Sequence, residues 1–360
     1  EQVTAAWSES YRVIANCNVI LDRIPDVEMD ASLKNQVSGE ALFIRSLMYY
    51  HLAIGFGNIP LQLTSYVSGD ELVQVDESTV LQQLVTDLTT AEENLPVLYS
   101  GSEVGKATKG AAATLLAKVL LTLGENSAAE TVLRRIIANY GYELLPNYAD
   151  LWGVANENNA ESIFEVQYIS GGIGQGSLFT NDFSPSTDLQ TGSGFGRNRR
   201  TVSMLEAYED GDLRFEPSMG ATYIDLEGEV VEARHVRKYQ SDLAIENDSD
   251  INFVVFRYAD VLLMLAEALG DTPESYDLIN EVRDRAGLPD IDASTPGTFE
   301  DKLLHERRVE LAFENHRWPD LKRFGAVGKV SEAEDFITST KEYFFIPQRE
   351  MDINPNFVQN

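Results

Sequence analysis

Residues 306–325 read ERRVELAFENHRWPDLKRFG, and residues 344–360 read FFIPQREMDINPNFVQN. In the first stretch, charged residues stand among apolar ones at helical spacing, and Arg307 and Glu310 are three positions apart, where opposite charges can pair on a helix. Pro319 and the aspartate after it suit the first turn of a new helix, since the missing proline N–H costs nothing there and a carboxylate meets the positive end of the helix dipole. The stretch therefore predicts a helix corner held by ion pairs.

Helical periodicity continues through the first 140 residues. Apolar residues recur with that period in five segments, which are about Val3–Ile24, Leu33–Phe56, Thr79–Leu95, Lys109–Leu123 and Ala128–Tyr140. Small residues at Ala117, Gly124 and Ala129 resemble the tetratricopeptide pattern, in which two helices approach closely across a turn. A second pair is expected at Arg257–Gly270 and Glu274–Ala286. These segments predict a mainly α fold built from tetratricopeptide-like helix pairs.

The helix predicted near Lys109 is almost entirely apolar. Its polar residues Thr114, Lys118 and Thr122 follow one another at intervals of four and form a single stripe. We expect this stripe to be the only face of the helix that contacts water.

The middle of the chain has a different character. Residues 161–168 (ESIFEVQY) predict a short strand, and β-like pieces follow at 221–231 and 235–240. Between them, Ser170–Arg200 is rich in Gly and Ser and has no helical period. A loop of this length within a compact domain is uncommon unless it is functional or disordered. We therefore predict an irregular, ligand-facing lobe with short β elements.

No Pro-, Gly- or Ser-rich linker divides the chain, so we expect one unit over residues 1–360. Within it we distinguish N-terminal helical repeats at 1–160, the irregular ligand-facing lobe at 161–255, and C-terminal helices with the signature tail at 256–360.

Composition excludes several kinds of partner. The formal net charge of −30 opposes binding to nucleic acid, which needs clustered Lys and Arg, and opposes adsorption to anionic lipid. Cys17 is the single cysteine, so an intramolecular disulfide is impossible, and its apolar helical setting indicates a buried side chain. The first ten residues have neither the basic nor the apolar region of a signal peptide, which indicates a mature or truncated start.

The sequence does not indicate an enzyme. With 58 acidic residues, carboxylate pairs of the kind that glycosidases use arise by chance, and none stands out as an acid and base. The four histidines show no metal-ligand spacing, and HExxH, Walker and GxSxG motifs are absent. Residues 247–252 (NDSDIN) could coordinate a hard cation, although a capped turn is the better interpretation. We expect no cofactor and no metal.

The C-terminal stretches resemble the signature of the SusD/RagB family, which has an ERR-x-EL-x-FE-x-x-R-x-x-DL-x-R helix and an IPQ-x-E-x-x-x-NPN tail. Further segments agree in the same order, at Gly39–Leu61, Thr108–Gly124 and Arg257–Pro289. The resemblance spans nearly the whole chain. It implies a SusD-like architecture of tetratricopeptide-like helix pairs with an irregular loop and short β lobe.

The resemblance also implies a function. Family members are non-catalytic nutrient-binding lipoproteins, anchored to the bacterial outer membrane through a lipidated N-terminal cysteine and placed as a lid on a TonB-dependent SusC-like transporter. The lipobox cysteine is missing from this chain, and Cys17 does not match its position. We therefore expect a surface protein that captures oligosaccharide or polysaccharide, with the anchor outside the given sequence.

The long loop holds the best candidates for contact with a sugar, because it combines aromatic rings with polar side chains that can bind hydroxyl groups. These candidates are Phe179, Asn181, Asp182, Phe183, Asp188, Phe195, Arg197 and Asn198. Trp7 in the first helix is a further candidate. The alternative is that the loop phenylalanines pack back onto the body and that Trp7 belongs to the core.

Two other functions stay open at this point. The RagB side of the family implies capture of peptides instead of glycans. The helix pairs alone would also suit a tetratricopeptide scaffold that binds other proteins.

Overall fold

The computed structural model describes residues 2–66, 72–185, 194–197, 201–224, 228–241, 245–330 and 342–359. Its helices are α1 (Gln2–Arg23), α2 (Ala31–Phe56), α3 (Glu77–Asn94), α4 (Lys109–Thr122), α5 (Asn126–Asn139), α6 (Phe179–Phe183), α7 (Val202–Leu205), α8 (Phe215–Ser218), α9 (Tyr258–Leu269), α10 (Pro273–Arg285), α11 (Phe299–Glu310), α12 (Arg317–Arg323), α13 (Val327–Val330) and α14 (Gln348–Ile353). Its strands are β1 (Ile59–Pro60), β2 (Gln74–Val75), β3 (Ser162–Val166), β4 (Met219–Ile224), β5 (Val230–Val236) and β6 (Phe253–Arg257). The mainly α prediction is confirmed.

The chain forms two compact units. The first contains Glu1–Tyr140 together with Ser339–Asn360, and the second contains Gly141–Thr338. The sequence-based division at residues 160 and 255 stays a prediction. Within the described residues, no helix is long and apolar enough to cross a bilayer.

In the first unit, each of the helices α1 to α5 packs against the next one along the chain. Side chains at the helix starts supply the caps that their first N–H groups need. Asp30 Oδ1 accepts hydrogen bonds from the N–H groups of Ser32 and Leu33, at 2.9 and 3.1 Å, and Thr108 caps α4 by accepting from Ala111 N–H at 3.2 Å. Gly124, with φ of 75°, makes the predicted turn between α4 and α5.

The expectation of a wet stripe on α4 is wrong. Thr114 is fully buried and Lys118 is 2% exposed, because α4 packs against α2, α3 and α5. The threonine hydroxyls on this helix donate hydrogen bonds to backbone carbonyls one turn earlier. Thr114 donates to Gly110 O and Thr122 donates to Lys118 O, both at 2.8 Å. Such back-bonding to the preceding turn lets a threonine enter an apolar environment without an unmet hydroxyl.

The C-terminal tail is fixed to the first unit by hydrogen bonds along its length. Phe344 N–H donates to Gly55 O at 2.8 Å, and the Tyr343 hydroxyl donates to Glu77 Oε2 at 2.6 Å. Further along, Asn354 Nδ2 donates to Leu72 O at 2.7 Å. The tail is therefore part of this helical unit and contributes side chains to its surface.

In the second unit, α9 and α10 form the second predicted helix pair, and α11 packs against both. Two antiparallel ladders accompany them, β3 with β6 and β4 with β5. Strand β6 is followed directly by α9, since the strand ends at Arg257 and the helix begins at Tyr258.

The predicted helix corner is present between α11 and α12. The intervening turn holds Phe313 and Asn315 at φ of 66° and 65°. The ion pairs differ from those expected within one helix. Arg307 reaches across the corner to Asp320 Oδ1 at 2.9 Å and to Asp260 Oδ1 of α9 at 2.8 Å. Contacts between helices therefore lock the corner.

Candidate functional site

A buried network of charges surrounds Glu310 at the end of α11. Its carboxylate contacts the guanidinium groups of Arg214, Arg257 and Arg285, with Arg214 Nη1 at 3.0 Å from Oε2. Burial alone would raise the pKa of Glu310, but the three guanidinium groups outweigh it and hold the pKa well below its usual range. Glu310 is therefore a permanent anion that joins three separate segments.

The network extends to Glu314 in the corner. Glu314 Oε1 accepts from Lys238 Nζ at 2.7 Å, and Oε2 accepts from Arg257 Nε at 2.7 Å. Burial lowers the pKa of Lys238 to about 8, with Glu314 acting in the opposite direction. The Lys238 ammonium also lies 4.2 Å from the centre of the Trp152 ring. These opposite charges pair with one another, and the network thereby connects Lys238 of the irregular lobe to Glu314 of the helix corner.

The loop predicted to face a ligand is anchored by carboxylates of residues 247–252. Asp248 Oδ2 accepts from the N–H groups of Gly171 and Gly172, at 2.8 and 2.7 Å, and Asp250 Oδ1 accepts from Ser170 N–H at 2.6 Å. Ser177 and Ser249 exchange both backbone hydrogen bonds. The acidic segment thus holds the loop by accepting its backbone N–H groups. Among the described residues, no group of His, Cys, Asp and Glu side chains is suited to a metal ion.

A second carboxylate cluster lies at the base of this anchor. Glu157 Oε1 accepts from Asn252 N–H at 2.7 Å, and Glu165 Oε2 accepts from Asn252 Nδ2 at 2.9 Å. Burial raises the pKa of Glu157 to about 7, and the nearby carboxylates of Glu165 and Asp250 add to the effect. Glu157 therefore titrates near neutral pH.

Two of the predicted loop aromatics pack inward. The Phe179 ring stacks on Phe253 at a centroid distance of 5.0 Å, and the Phe183 ring lies 4.8 Å from Tyr239. Phe183 is 8% exposed, whereas Phe179 is half-buried with Tyr168 against its edge. These rings form the apolar support of the loop.

Asn181 and Asp182 connect that support to the next part of the loop. Asn181 is fully buried, and its Oδ1 accepts from Asn247 N–H at 3.0 Å. The carbonyls of Asn181 and Asp182 accept from the N–H groups of Phe195 and Arg197, at 2.8 and 3.1 Å. The segment 194–197 is thereby held against α6.

Phe195, Arg197 and Asp182 form the outer edge of this arrangement. The Arg197 guanidinium lies 4.5 Å from the centre of the Phe195 ring, and its Nη1 lies 3.1 Å from Asp182 Oδ1. Phe195 is half-buried and Arg197 is exposed. A ring, a guanidinium and a carboxylate therefore meet at an accessible surface. The candidates Asp188 and Asn198 lie outside the described residues.

Trp7 lies in the first unit and is 4% exposed. Its ring packs edge-on against Phe56 and is tilted against Tyr11, each at a centroid distance of 5.0 Å. Trp7 therefore belongs largely to an aromatic core, with a small exposed edge.

Sequence reasoning missed the partners that shape these features. Tyr239 and Phe253 complete the aromatic support, and Asp248 and Asp250 anchor the loop. Each lies more than 50 positions from its partner. A single sequence carries no signal for such long-range pairs. It indicates only that residues 247–252 are rich in side-chain oxygen atoms.

The comparisons with known proteins agree with this architecture. Residues 220–360 match the family model described as "SusD family", and residues 1–121 match the one described as "Starch-binding associating with outer membrane". The SusD-like protein P2 of Formosa agariphila is 28% identical to this chain, across 99% of the chain and 80% of that protein.

Solved structures give the same result. The structure described as "Laminarin binding SusD-like protein" is 30% identical, covers 99% of this chain and 85% of its own, and superposes with a TM-score of 0.89. A SusD superfamily protein from Bacteroides vulgatus is 28% identical, covers 97% of this chain and 83% of its own, and has a TM-score of 0.82.

Proposed function

Because the chain belongs to the SusD/RagB family, we propose that it is a non-catalytic glycan-binding protein of the bacterial cell surface. The observation that carries this proposal is the 30% identity, over 99% of the chain, with a SusD-like protein described as binding laminarin. Family membership by itself would leave peptide capture equally open. The likeness to a protein named for its polysaccharide favours a glycan.

The edge formed by Phe195, Arg197 and Asp182 is the ligand contact that we propose within the loop. An aromatic ring offers an apolar surface to the C–H side of a sugar, while a guanidinium and a carboxylate supply donors and acceptors for its hydroxyls. Because Arg197 pairs with Asp182 and lies over Phe195, the three groups are held in place before a ligand arrives. Such preorganisation lowers the entropic cost of binding.

The remaining loop candidates have supporting roles in this proposal. Phe179, Phe183 and Asn181 form the base that carries the edge, since they pack inward or are buried. Asp188 and Asn198, which lie outside the described residues, stay proposed ligand contacts on the basis of the sequence alone. No covalent chemistry is proposed, since the buried carboxylates Glu310 and Glu314 are engaged by cationic side chains.

Delivery to a TonB-dependent SusC-like transporter and attachment to the outer membrane through a lipidated cysteine complete the proposal. The support is the family description, which associates such proteins with the outer membrane. The reading frame upstream of Glu1 provides a direct test: a signal peptide ending in a lipobox is expected. Co-purification of the full-length protein with a TonB-dependent transporter from its native outer membrane tests the partner.

Isothermal titration of the whole chain with laminarin, other polysaccharides and a peptide library tests the ligand class. We expect binding to at least one glycan. Phe195→Ala and Arg197→Ala should each weaken it by about tenfold or more, since each removes a ring or a charged hydrogen-bond group.

Arg134→Ala is the matched control, because Arg134 is exposed and pairs with Glu130 on α5 in the other unit. Unchanged urea midpoints would show that the loop variants fold. Binding of peptides but of no glycan would overturn the proposed function. Glycan binding that survives both loop variants would overturn the assigned site.

A further inference from the structure

A small notch in the first unit combines an aromatic floor with a polar rim. It has a volume of about 290 Å³ and is lined by Trp7, Ser8, Tyr11, Pro60, Gln62, Leu72, Arg349, Glu350 and Phe357. Helix α1, the segment after α2 and the C-terminal tail each contribute to it. All of its lining residues lie in the first unit, whereas Phe195 lies in the second.

Burial and hydrogen bonds fix the floor and one wall of the notch. Trp7 and Phe357 are 4% and 8% exposed, so only their edges face the notch. The Tyr11 hydroxyl donates to Pro60 O at 2.8 Å, which fixes the ring against the wall. The Tyr49 hydroxyl accepts from Gln62 N–H at 2.6 Å and donates to Gln62 O at 2.7 Å. These bonds fix three lining residues of the notch, Tyr11, Pro60 and Gln62, to neighbouring parts of the first unit.

The rim carries one cation and one anion from consecutive positions of the tail. Arg349 Nη1 lies 3.9 Å from Glu350 Oε1, and their side chains are 76% and 24% exposed. This separation exceeds a hydrogen bond, so both groups keep the capacity to bind a ligand. Together they offer several donors and acceptors while adding no net charge.

Size and charge restrict the occupant. The volume lies at the lower end of small-molecule sites, which suits a single ring better than an extended chain. A small anion would face the overall charge of −30. Arg349 and Glu350 together leave the rim without a net charge that would select an ion of either sign. A neutral ring that carries hydroxyl groups can use both rim side chains, because one donates and the other accepts hydrogen bonds. Its apolar side would contact the edges of Trp7 and Phe357.

We propose that this notch between α1 and the C-terminal tail is a second sugar-binding site, which takes one neutral monosaccharide unit. Arg349 and Glu350 bind its hydroxyls, and Trp7, Tyr11 and Phe357 contact its apolar side. The site gives the tail a binding role in addition to its structural one. The inference rests on the proposed function only for the class of ligand.

Fluorine NMR of the full chain, labelled with 5-fluorotryptophan, tests the site. The chain has three tryptophans, and Trp7→Phe identifies the Trp7 signal by deleting it. Glucose, galactose, mannose and xylose are the probes. We expect at least one to shift the Trp7 signal while the signals of Trp152 and Trp318 stay in place. The affinity should be millimolar, which is about what a ligand of roughly twelve non-hydrogen atoms allows.

Variants on the rim give the second readout. Arg349→Ala and Glu350→Gln should each weaken the titration by about tenfold or more, because each removes a charged hydrogen-bonding group. Arg12→Ala is the matched control: Arg12 lies on α1, is 70% exposed and pairs with Glu9. It should leave the titration unchanged.

Three outcomes would overturn the inference. The first is that the Trp7 signal does not shift with any probe up to about 50 mM, well above the expected dissociation constant. The second is a shift that neither rim variant changes, and the third is a shift that only charged peptides produce. Laminarin titrations of the same samples separate this result from the proposed function. If glycan binding requires Phe195 but no probe shifts the fluorine signal of Trp7, the notch proposal is wrong and the glycan-binding proposal stands.

Discussion

Arg214 Nη1 lies 3.0 Å from Glu310 Oε2, although the two residues are 96 positions apart, and both side chains are fully buried. Arg257 and Arg285 contact the same carboxylate. Desolvation of a buried ion is offset only while its partners are present. The stability of the second unit should therefore depend strongly on Glu310.

We expect Glu310→Gln to lower the free energy of unfolding by about 3–5 kcal/mol, because it leaves buried guanidinium groups without their counter-charge. Urea denaturation followed by circular dichroism measures the change. Glu300→Gln is the control, since Glu300 is exposed on the first turn of the same helix and should cost less than about 1 kcal/mol. Equal losses in the two variants would show that the network does not stabilise the fold.

Glu310 should also shape the response to acid. Its pKa is lowered in the folded state, so the unfolded chain takes up the proton first as the pH falls. The stability from this group is therefore present above the ordinary glutamate pKa and is lost as the pH falls below it. Between about pH 5 and pH 3, the unfolding free energy should fall more steeply in the parent than in Glu310→Gln. Parallel profiles would contradict this assignment.

Much of the fold follows from local sequence patterns. The periods that predicted α1 to α5 and the α9–α10 pair depend on residues three or four positions apart, and packing preserved them. The wet stripe on α4 failed because periodicity does not reveal how many neighbours a helix has. Thr114 and Lys118 became buried once α2, α3 and α5 surrounded that helix.

The candidate site was less predictable for the same physical reason. Composition identified Phe179 and Phe183 as aromatic loop residues, but their partners Phe253 and Tyr239 come from distant segments. Whether a ring packs inward or faces a ligand depends on those partners. The notch around Trp7 likewise depends on Glu350, which is 343 positions away in the sequence. The family signature identifies Glu350 only as a residue of the C-terminal tail.

Gly57 should control the attachment of the tail. It adopts φ of 73°, and a Cβ there would lie 2.9 Å from the Tyr343 ring. Gly57→Ala therefore meets both backbone strain and a clash, and we expect a loss of about 1–3 kcal/mol together with faster hydrogen exchange at Phe344 N–H.

Gly124→Ala separates the two effects. Gly124 has a similar φ of 75°, and among the described residues no atom lies within 4 Å of its Cβ position. Gly124→Ala should therefore lose stability through backbone strain alone, while hydrogen exchange at Phe344 N–H stays slow. Tyr343→Ala combined with Gly57→Ala should cost less than the two single losses added together. Strict additivity would show that the clash is absent.

Glu157 gives the opposite pH dependence from Glu310. Burial raises its pKa to about 7, from an ordinary value of 4.5, so the folded chain binds more protons than the unfolded chain between these pH values. The stability contributed by this group is present below pH 4.5 and is lost as the pH rises through about 7.

Glu157→Gln keeps an oxygen to accept the Asn252 N–H and cannot ionise. At pH 8 the variant should therefore be more stable than the parent, and the difference should vanish near pH 4.5. Urea midpoints across this range, with Glu300→Gln as control, measure it. A parent that gains stability relative to Glu157→Gln on going from pH 4.5 to pH 8 would show that the carboxylate is not held in its protonated form.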